Sequence, residues 1–126
     1  MPEGHHDASH HQRDPYLAGQ YTKINTYHMS LFAQMVEKMR VTPDGDGSLL
    51  DHVILVYGSA IGDGDQHTPI DLPVAIVGGG CGKLQGGRHV RYPLNTPFMN
   101  LGLSLLEKVG VRVDRIGDST GPLTGL

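Results

Sequence analysis

The chain contains a single cysteine, Cys81, among its 126 residues. One thiol excludes an intrachain disulfide and leaves no second thiolate for a cysteine-based zinc site. Any metal ion bound by this chain must therefore use imidazole or carboxylate ligands.

Positive charge and long apolar runs are also scarce. The chain has 10 Lys and Arg residues against 13 Asp and Glu residues, a net charge of −3, so we expect no nucleic-acid partner. No segment approaches the ~20 apolar residues of a membrane span, and the first residues lack a signal-peptide pattern. With 18 Gly, 8 Pro and only 18% charged residues, the composition predicts one small, loop-rich domain without a membrane partner.

Histidine is concentrated near the start of the chain. Half of the 8 histidines lie between Glu3 and His11, together with the carboxylates Glu3 and Asp7. Imidazole and carboxylate groups bind divalent metals, and imidazole also changes charge near neutral pH. Histidine-rich starts are also typical of purification tags and frayed tails. The interruption by Asp7-Ala8-Ser9 and the ordered-looking sequence that follows favour a true site for metal or proton chemistry.

Apolar periodicity predicts one long helix. Asp14–Gly19 has the composition of a turn, and apolar residues from Tyr21 to Met39 recur at spacings of three and four. The helix should end near Thr42-Pro43, because proline disfavours helix in the residue before it. His28 lies on the apolar stripe, where a hydrogen-bonded core or interface histidine is favoured over a metal ligand.

Two apolar runs, at 52–57 and 72–77, predict strands covered on both faces. A second helix should begin at Thr96-Pro97 and end at Gly110, with Phe98, Leu101, Leu105, Leu106 and Val109 on its apolar face. A short edge strand at Val111–Val113 is a further option. These elements predict an α/β fold with a small, mostly parallel sheet and flanking helices.

In such a sheet, binding sites lie in the loops beyond the carboxyl ends of the strands. That rule places the following residues at the chemically useful edge: Ser59, Asp63, Asp65 and His67.

Three other segments resemble known binding motifs. Two of them lack a residue or spacing that the motif requires, and the third stays open. Residues 44–48 resemble the start of a calcium loop, but Leu49 occupies the position that requires glycine, so a polar surface loop is the better interpretation. Residues 78–84 cannot form a phosphate loop, because only three residues separate the relevant glycines and a leucine follows the lysine. Farther on, Arg88, His89 and Arg91 could clamp an anion or belong to a solvated strand.

The run His6-Asp7-Ala8-Ser9-His10-His11 matches the signature of the HXXSHH family, a bacterial family of unknown function. The chain also resembles the carboxyl-terminal part of that family at 42–52, 72–73, 86–89, 91–93 and 117–121. Family members are longer, so the resemblance implies that residues 1–126 form a single α/β domain that is a fragment or shortened version. It also implies an exported or periplasmic protein, although this chain shows no export signal.

A more distant resemblance is to the alkaline-phosphatase-like superfamily, in which an Asp and a His four residues apart bind one metal. That resemblance implies a divalent metal, with zinc favoured, bound by Asp7, His11 and His67. Weaker candidate ligands are His5, His6, His10 and Asp63. It also implies a sheet similar to the carboxyl-terminal part of that fold. The superfamily's second metal site is not expected, because Gly58-Ser59-Ala60 stands where its Asp-His pair would be.

Two classes of function follow. One is a metal-dependent, hydrolase-like protein that acts on a phosphate- or sulfate-ester-type substrate, with His6 or His10 as an acid/base group. The other is a non-catalytic binding or assembly module that keeps the fold without a complete active site, a homo-oligomer being one form. A nucleophilic hydrolase built on Ser9 or Ser59 is disfavoured, because neither serine lies in a Gly-x-Ser-x-Gly elbow.

Overall fold

The computed structural model describes residues 4–126, so the predicted contribution of Glu3 to the histidine cluster lies outside the described residues. Four helices and four short strands occur in that range. In chain order they are α1 (His5–Ser9), α2 (Pro15–Val41), β1 (Pro43–Asp44), β2 (Gly47–Ser48), α3 (Leu49–His52), β3 (Leu55–Gly58), β4 (Val74–Val77) and α4 (Phe98–Lys108).

Helix α2 begins earlier than the periodicity predicted. The Asp14 carboxylate accepts a hydrogen bond from the Leu17 N–H at 2.9 Å, and Pro15 occupies the first helical position. This Asp-Pro pair is a helix start, so the predicted turn at Asp14–Gly19 is wrong. The predicted end is confirmed, because the helix stops at Val41, two residues before Pro43.

The sheets are antiparallel. Strand β3 pairs with β4, from Leu55 opposite Val77 to Gly58 opposite Val74, and β1 pairs with β2 in a small hairpin. The mixed α/β composition is confirmed, but the predicted mostly parallel sheet is wrong. Residues 59–73 connect β3 to β4 without a helix, and parallel neighbours would need a crossover connection, usually a helical one.

The glycine run after β4 packs directly against α3. Gly79 N–H donates to the Leu50 carbonyl at 2.9 Å, and Gly80 N–H donates to the Val53 carbonyl at 3.0 Å. A Cβ atom on Gly78 would lie 2.2 Å from the Val53 oxygen, so a side chain would force the two segments apart. Close backbone approach therefore explains these glycines, which agrees with the rejection of a phosphate loop.

Little apolar surface is buried. The buried hydrophobic residues in the described range are Ala8, Ile24, Leu101 and Leu103. In α4 the polar residues Asn100 and Ser104 are also buried, whereas Phe98 and Val109 of the predicted apolar face are exposed. The buried face of α4 is therefore rotated relative to the prediction.

The carboxyl-terminal tail explains that rotation. The Asn100 side-chain oxygen accepts the Thr120 N–H at 2.8 Å, and the Ser104 hydroxyl accepts the Leu123 N–H at 2.7 Å. Two buried side chains of α4 thus satisfy backbone groups of a segment without helix or strand. Val111–Val113, considered as an edge strand, forms none in the structure.

Truncation of a buried α4 side chain should destabilise the fold. Leu103 is 3% exposed, so we expect Leu103→Ala to lower the free energy of unfolding by about 3 kcal/mol. Leu94 is 64% exposed, and Leu94→Ala, the same chemical change, should cost less than about 0.5 kcal/mol. Urea denaturation followed by circular dichroism measures both. Equal losses would contradict this assignment of the core.

His52 holds the β1–β2 hairpin against α3. Its Nδ1 lies 2.8 Å from an Asp44 carboxylate oxygen and its Nε2 lies 3.2 Å from an Asp46 oxygen. The bond to Asp44, followed by the nearby charges of Asp44 and Asp46, outweighs desolvation and raises the pKa of His52. Both ring nitrogens face acceptors, so the protonated ring fits this position. The sequence had predicted His52 within a strand.

The hairpin should therefore lose stability as the pH rises. A raised folded-state pKa gives a contribution that is complete below about pH 6.5, the unfolded value, and is lost as the pH rises through the folded-state pKa. We expect Asp44→Asn to lower the pKa of His52 and to flatten the pH dependence of unfolding in that window. Ring-proton NMR titration measures the pKa. Asp118→Asn, in the tail, should leave it unchanged, and an unchanged value in Asp44→Asn would contradict the pairing.

Candidate functional site

His6 and His10 lie on the same side of the first helical turn. Helix α1 spans His5–Ser9 and His10 is its carboxyl-terminal cap, so the two rings are four residues apart on one face. Their Nε2 atoms are 3.3 Å apart, and their ring centroids are separated by 4.6 Å in an edge-on arrangement. The two ring nitrogens are therefore within hydrogen-bond distance of each other.

A third histidine comes from a distant part of the chain. His67 lies in the β3–β4 connection, and its ring centroid is 4.7 Å from that of His10. Its backbone has a positive φ of 52°, which is uncommon for a residue other than glycine. Such backbone conformations cluster at binding and catalytic sites. His67 therefore lies beside His10, whereas the resemblance implied a site shared with Asp7 and His11.

The Asp65 carboxylate anchors this connection to the end of α1. One Asp65 oxygen accepts the Gln12 N–H at 2.9 Å, and the other accepts the Gln66 side-chain amide at 3.1 Å. The Gln12 bond is the largest cause of the lowered pKa of Asp65, and the nearby His11 and His10 add to it. Asp63 shapes the same loop, because one of its oxygens accepts the N–H groups of Asp65 and Gln66.

Close packing at Gly64 completes the attachment. Ala8 and Ser9 of α1 are buried, and α1 packs on α2. A Cβ atom at Gly64 would lie 3.2 Å from Ser9 Cβ and 3.4 Å from the Tyr21 hydroxyl. Glycine therefore lets the loop that carries His67 lie directly against both helices.

The His6–His10 pair has the separation expected of two ligands of one tetrahedral metal. Zn–N bonds of 2.0–2.1 Å at a tetrahedral angle place the two nitrogens about 3.3 Å apart. Within residues 4–126, however, no three His, Cys, Asp or Glu side chains surround a point as they would around a bound ion. A third ligand would have to come from a side-chain rotation, and His67 carries the ring that packs on His10.

The other residues that the superfamily resemblance implied are placed differently. An Asp7 oxygen lies 3.9 Å from His6 Nδ1, and both side chains are exposed. His11 Nδ1 accepts the Arg13 N–H at 3.1 Å, whereas a metal-bound histidine normally donates a hydrogen bond from its second nitrogen. The set Asp7, His11 and His67 stays a prediction, and this hydrogen bond makes His11 the least suited member.

The remaining candidates serve local structure. His5 Nε2 lies 3.4 Å from the Asn25 side-chain oxygen, and its ring packs beside that of His28, which is exposed rather than in a core. The buried Ser9 hydroxyl donates to the His6 carbonyl at 2.7 Å, and Ser59 Oγ accepts the Ile61 N–H at 3.1 Å. In the described part of the chain, neither serine is hydrogen-bonded to a histidine ring.

Three residues that were predicted as an anion clamp line a separate cavity. Arg88, His89 and Arg91 border a space of about 840 Å³ between β4, the 84–97 segment and α4, and none of the candidate metal ligands lines it. An Arg91 nitrogen lies 3.6 Å from an Asp71 oxygen, and both side chains are exposed. The anion clamp and the solvated segment therefore both stay predictions.

Comparison with protein-family models, with curated proteins and with solved structures finds no significant match. The membership in the HXXSHH family and the distant superfamily similarity are therefore proposals from the residues alone. None of the helices in residues 4–126 combines the length and apolar character needed to cross a bilayer.

One part of this site was visible in the sequence and one part was not. His6 and His10 have the i, i+4 spacing of two histidines on one helical face. The superfamily resemblance implied Asp7 and His11 instead, which have the same spacing. The Gln12–Asp65 contact joins a backbone group to a side chain 53 residues away, and no local pattern predicts it.

Loss of the Asp65 anchor should release His67 from His10. In Asp65→Ala the Gln12 N–H loses its acceptor, whereas Asp65→Asn keeps an oxygen at that position and is the matched control. Nuclear Overhauser effects between the His10 and His67 ring protons should weaken or vanish in Asp65→Ala and persist in Asp65→Asn. Unaltered ring contacts in the alanine variant would show that the anchor is not required.

Proposed function

We propose that this chain binds a divalent transition metal ion, zinc first, through His6 and His10, with His67 as third ligand. The observation that carries the proposal is the 3.3 Å separation of the His6 and His10 Nε2 atoms. It matches two nitrogen ligands of one tetrahedral ion. A direct N–H···N hydrogen bond gives a similar distance, so metal titration has to distinguish the two.

Surrounding carboxylates support a cation at this position. Asp7 lies 3.9 Å from the Nδ1 atom of His6, and both side chains are exposed. Asp65 adds negative charge close to His10 and His11. These carboxylates would partly offset the charge of the ion.

The chemistry that we propose is hydrolase-like. His6, His10 and His67 would hold a divalent ion, which would supply Lewis-acid activation of water and of an ester oxygen. The exposure of the His6 side chain leaves the site accessible to a phosphate- or sulfate-ester-type substrate, the class implied by the distant superfamily resemblance. A nearby histidine outside the ligand set would move the proton.

A binding or assembly module without catalysis is the second candidate, and one observation favours it. Small-molecule sites are usually concave, yet the candidate ligands line none of the large cavity, and the serines are engaged in backbone hydrogen bonds. A chain that binds metal but does not hydrolyse p-nitrophenyl phosphate or sulfate would belong to this class.

Metal titration tests the ligand assignment. We expect isothermal titration with Zn²⁺, and Co²⁺ absorption spectroscopy, to report one site in the wild-type chain. His6→Ala and His10→Ala should each weaken binding by more than about tenfold, since loss of even an outer-shell partner costs 10–100-fold. His67→Ala should have a similar effect. His89→Ala, in the 84–97 segment, is the matched control and should bind as the wild type does.

Different variants separate the alternative ligand sets. Loss of binding in Asp7→Ala and His11→Ala, with retention in His6→Ala, would favour the set implied by the superfamily resemblance. Retention of full affinity in His10→Ala would reject the site proposed here. Circular dichroism of each variant excludes unfolding as the cause of a loss.

A further inference from the structure

The cavity between β4, the 84–97 segment and α4 has mostly apolar walls. Half-buried Ile76 of β4 and buried Leu101 of α4 are among its lining residues. Val90 and Phe98 also line it, and each is 41% exposed. Its volume of about 840 Å³ lies within the range of about 300–1,000 Å³ that is typical of small-molecule sites. An apolar ligand that displaced water from these side chains would gain free energy.

The lining also contains two arginines, Arg88 and Arg91. Their guanidinium groups carry a permanent positive charge at neutral pH. An Arg91 nitrogen lies 3.6 Å from the Asp71 carboxylate, in an exposed pair of the kind that contributes little to stability. Among the hydrogen bonds and ion pairs within residues 4–126, none involves the Arg88 side chain. Its N–H donors are therefore available to a ligand.

The amino-terminal end of α4 favours the same sign of ligand charge. The helix begins at Phe98 after Pro97, both of which line the cavity, and no side chain caps it. The free N–H groups of a first helical turn carry partial positive charge. The oxygen of Leu126, another lining residue, already accepts the Lys108 Nζ at 2.8 Å. The two arginines and this helix end therefore outweigh the Asp71 carboxylate, and the lining complements an anion.

We propose that this cavity binds an amphipathic carboxylate, a small molecule with an apolar body and one carboxylate group. Arg88 and Arg91 hold the carboxylate, because a guanidinium can donate two parallel hydrogen bonds to it. The apolar body packs against Val90, Phe98 and Leu101. An inorganic anion would leave these walls in contact with water, and an uncharged apolar molecule would leave the arginines without a partner.

This inference does not depend on the proposed metal site, since none of the candidate metal ligands lines the cavity. Metal binding and carboxylate binding should therefore fail or persist separately. His10→Ala should lose affinity for Zn²⁺ and should bind the carboxylate as the wild type does.

Isothermal titration of the full chain with butanoate, hexanoate and octanoate tests the class of ligand. We expect octanoate to bind at one site, and the affinity to rise about fourfold for each added methylene that is buried. Octyltrimethylammonium has an apolar body of the same length and the opposite charge, so it should bind at least about a hundredfold more weakly. Inorganic phosphate that binds as tightly as octanoate, or the absence of binding at millimolar octanoate, would overturn the proposal.

Three charge variants test the placement of the carboxylate. Arg88→Gln and Arg91→Gln should each weaken octanoate binding by about tenfold, because each removes a charged donor. Asp71→Asn should strengthen it by about threefold, since it removes a negative charge and releases Arg91. Arg112→Gln is the matched control, because Arg112 is exposed and lies outside the cavity lining, and it should bind as the wild type does.

Amide chemical shifts locate the ligand. In NMR spectra, octanoate should shift the amide signals of Val90 and Leu101 and should leave that of His10 unchanged. Circular dichroism confirms that each variant is folded. Unchanged affinity in either arginine variant, or amide shifts confined to residues outside the cavity, would contradict this assignment.

Discussion

The candidate site depends on one long-range contact, the hydrogen bond from the Gln12 N–H to the Asp65 carboxylate. It fixes the β3–β4 connection to the end of α1, where the exposed ring of His67 packs on that of His10. The connection has few other means of attachment, since it contains no helix or strand and only an isolated bridge between Asp63 and Thr68. Gly64 then allows the loop to approach Ser9 and Tyr21 closely.

The rest of the fold uses the same kind of interaction. Glycines after β4 bring the backbone onto α3, and Asn100 and Ser104 bind the backbone of the tail. Side-chain burial contributes less, because few hydrophobic residues are buried and many large ones remain exposed. Hydrogen bonds between distant segments therefore position much of this fold.

The proposed metal site would strengthen a weakly attached part of the chain. A metal ion at the His6–His10 pair would join α1 to the loop that now depends on Asp65, because His67 would become part of one coordination sphere. The ion would stabilise the folded state by binding it in preference to the unfolded chain.

Local patterns were sufficient for several elements and insufficient for the site. Periodicity located both long helices and both apolar strands. The sequence predicted a turn at Asp14-Pro15, whereas Asp14 caps the start of α2 and Pro15 is its first residue. It also placed the apolar face of α4 incorrectly, because the tail that covers Asn100 and Ser104 is distant along the chain. The parallel sheet was inferred from element order, which does not specify how two strands pair.

The sequence by itself determined the ligand chemistry, since one cysteine and eight histidines leave imidazole and carboxylate as the available metal ligands. It also determined the His6–His10 spacing, a property of consecutive residues in a helix. Only the tertiary structure decided that His67 packs on His10 and that His52 lies between Asp44 and Asp46. The reason is physical: helical spacing is fixed by local backbone geometry, whereas contact between distant segments depends on packing and hydrogen bonds across the whole fold.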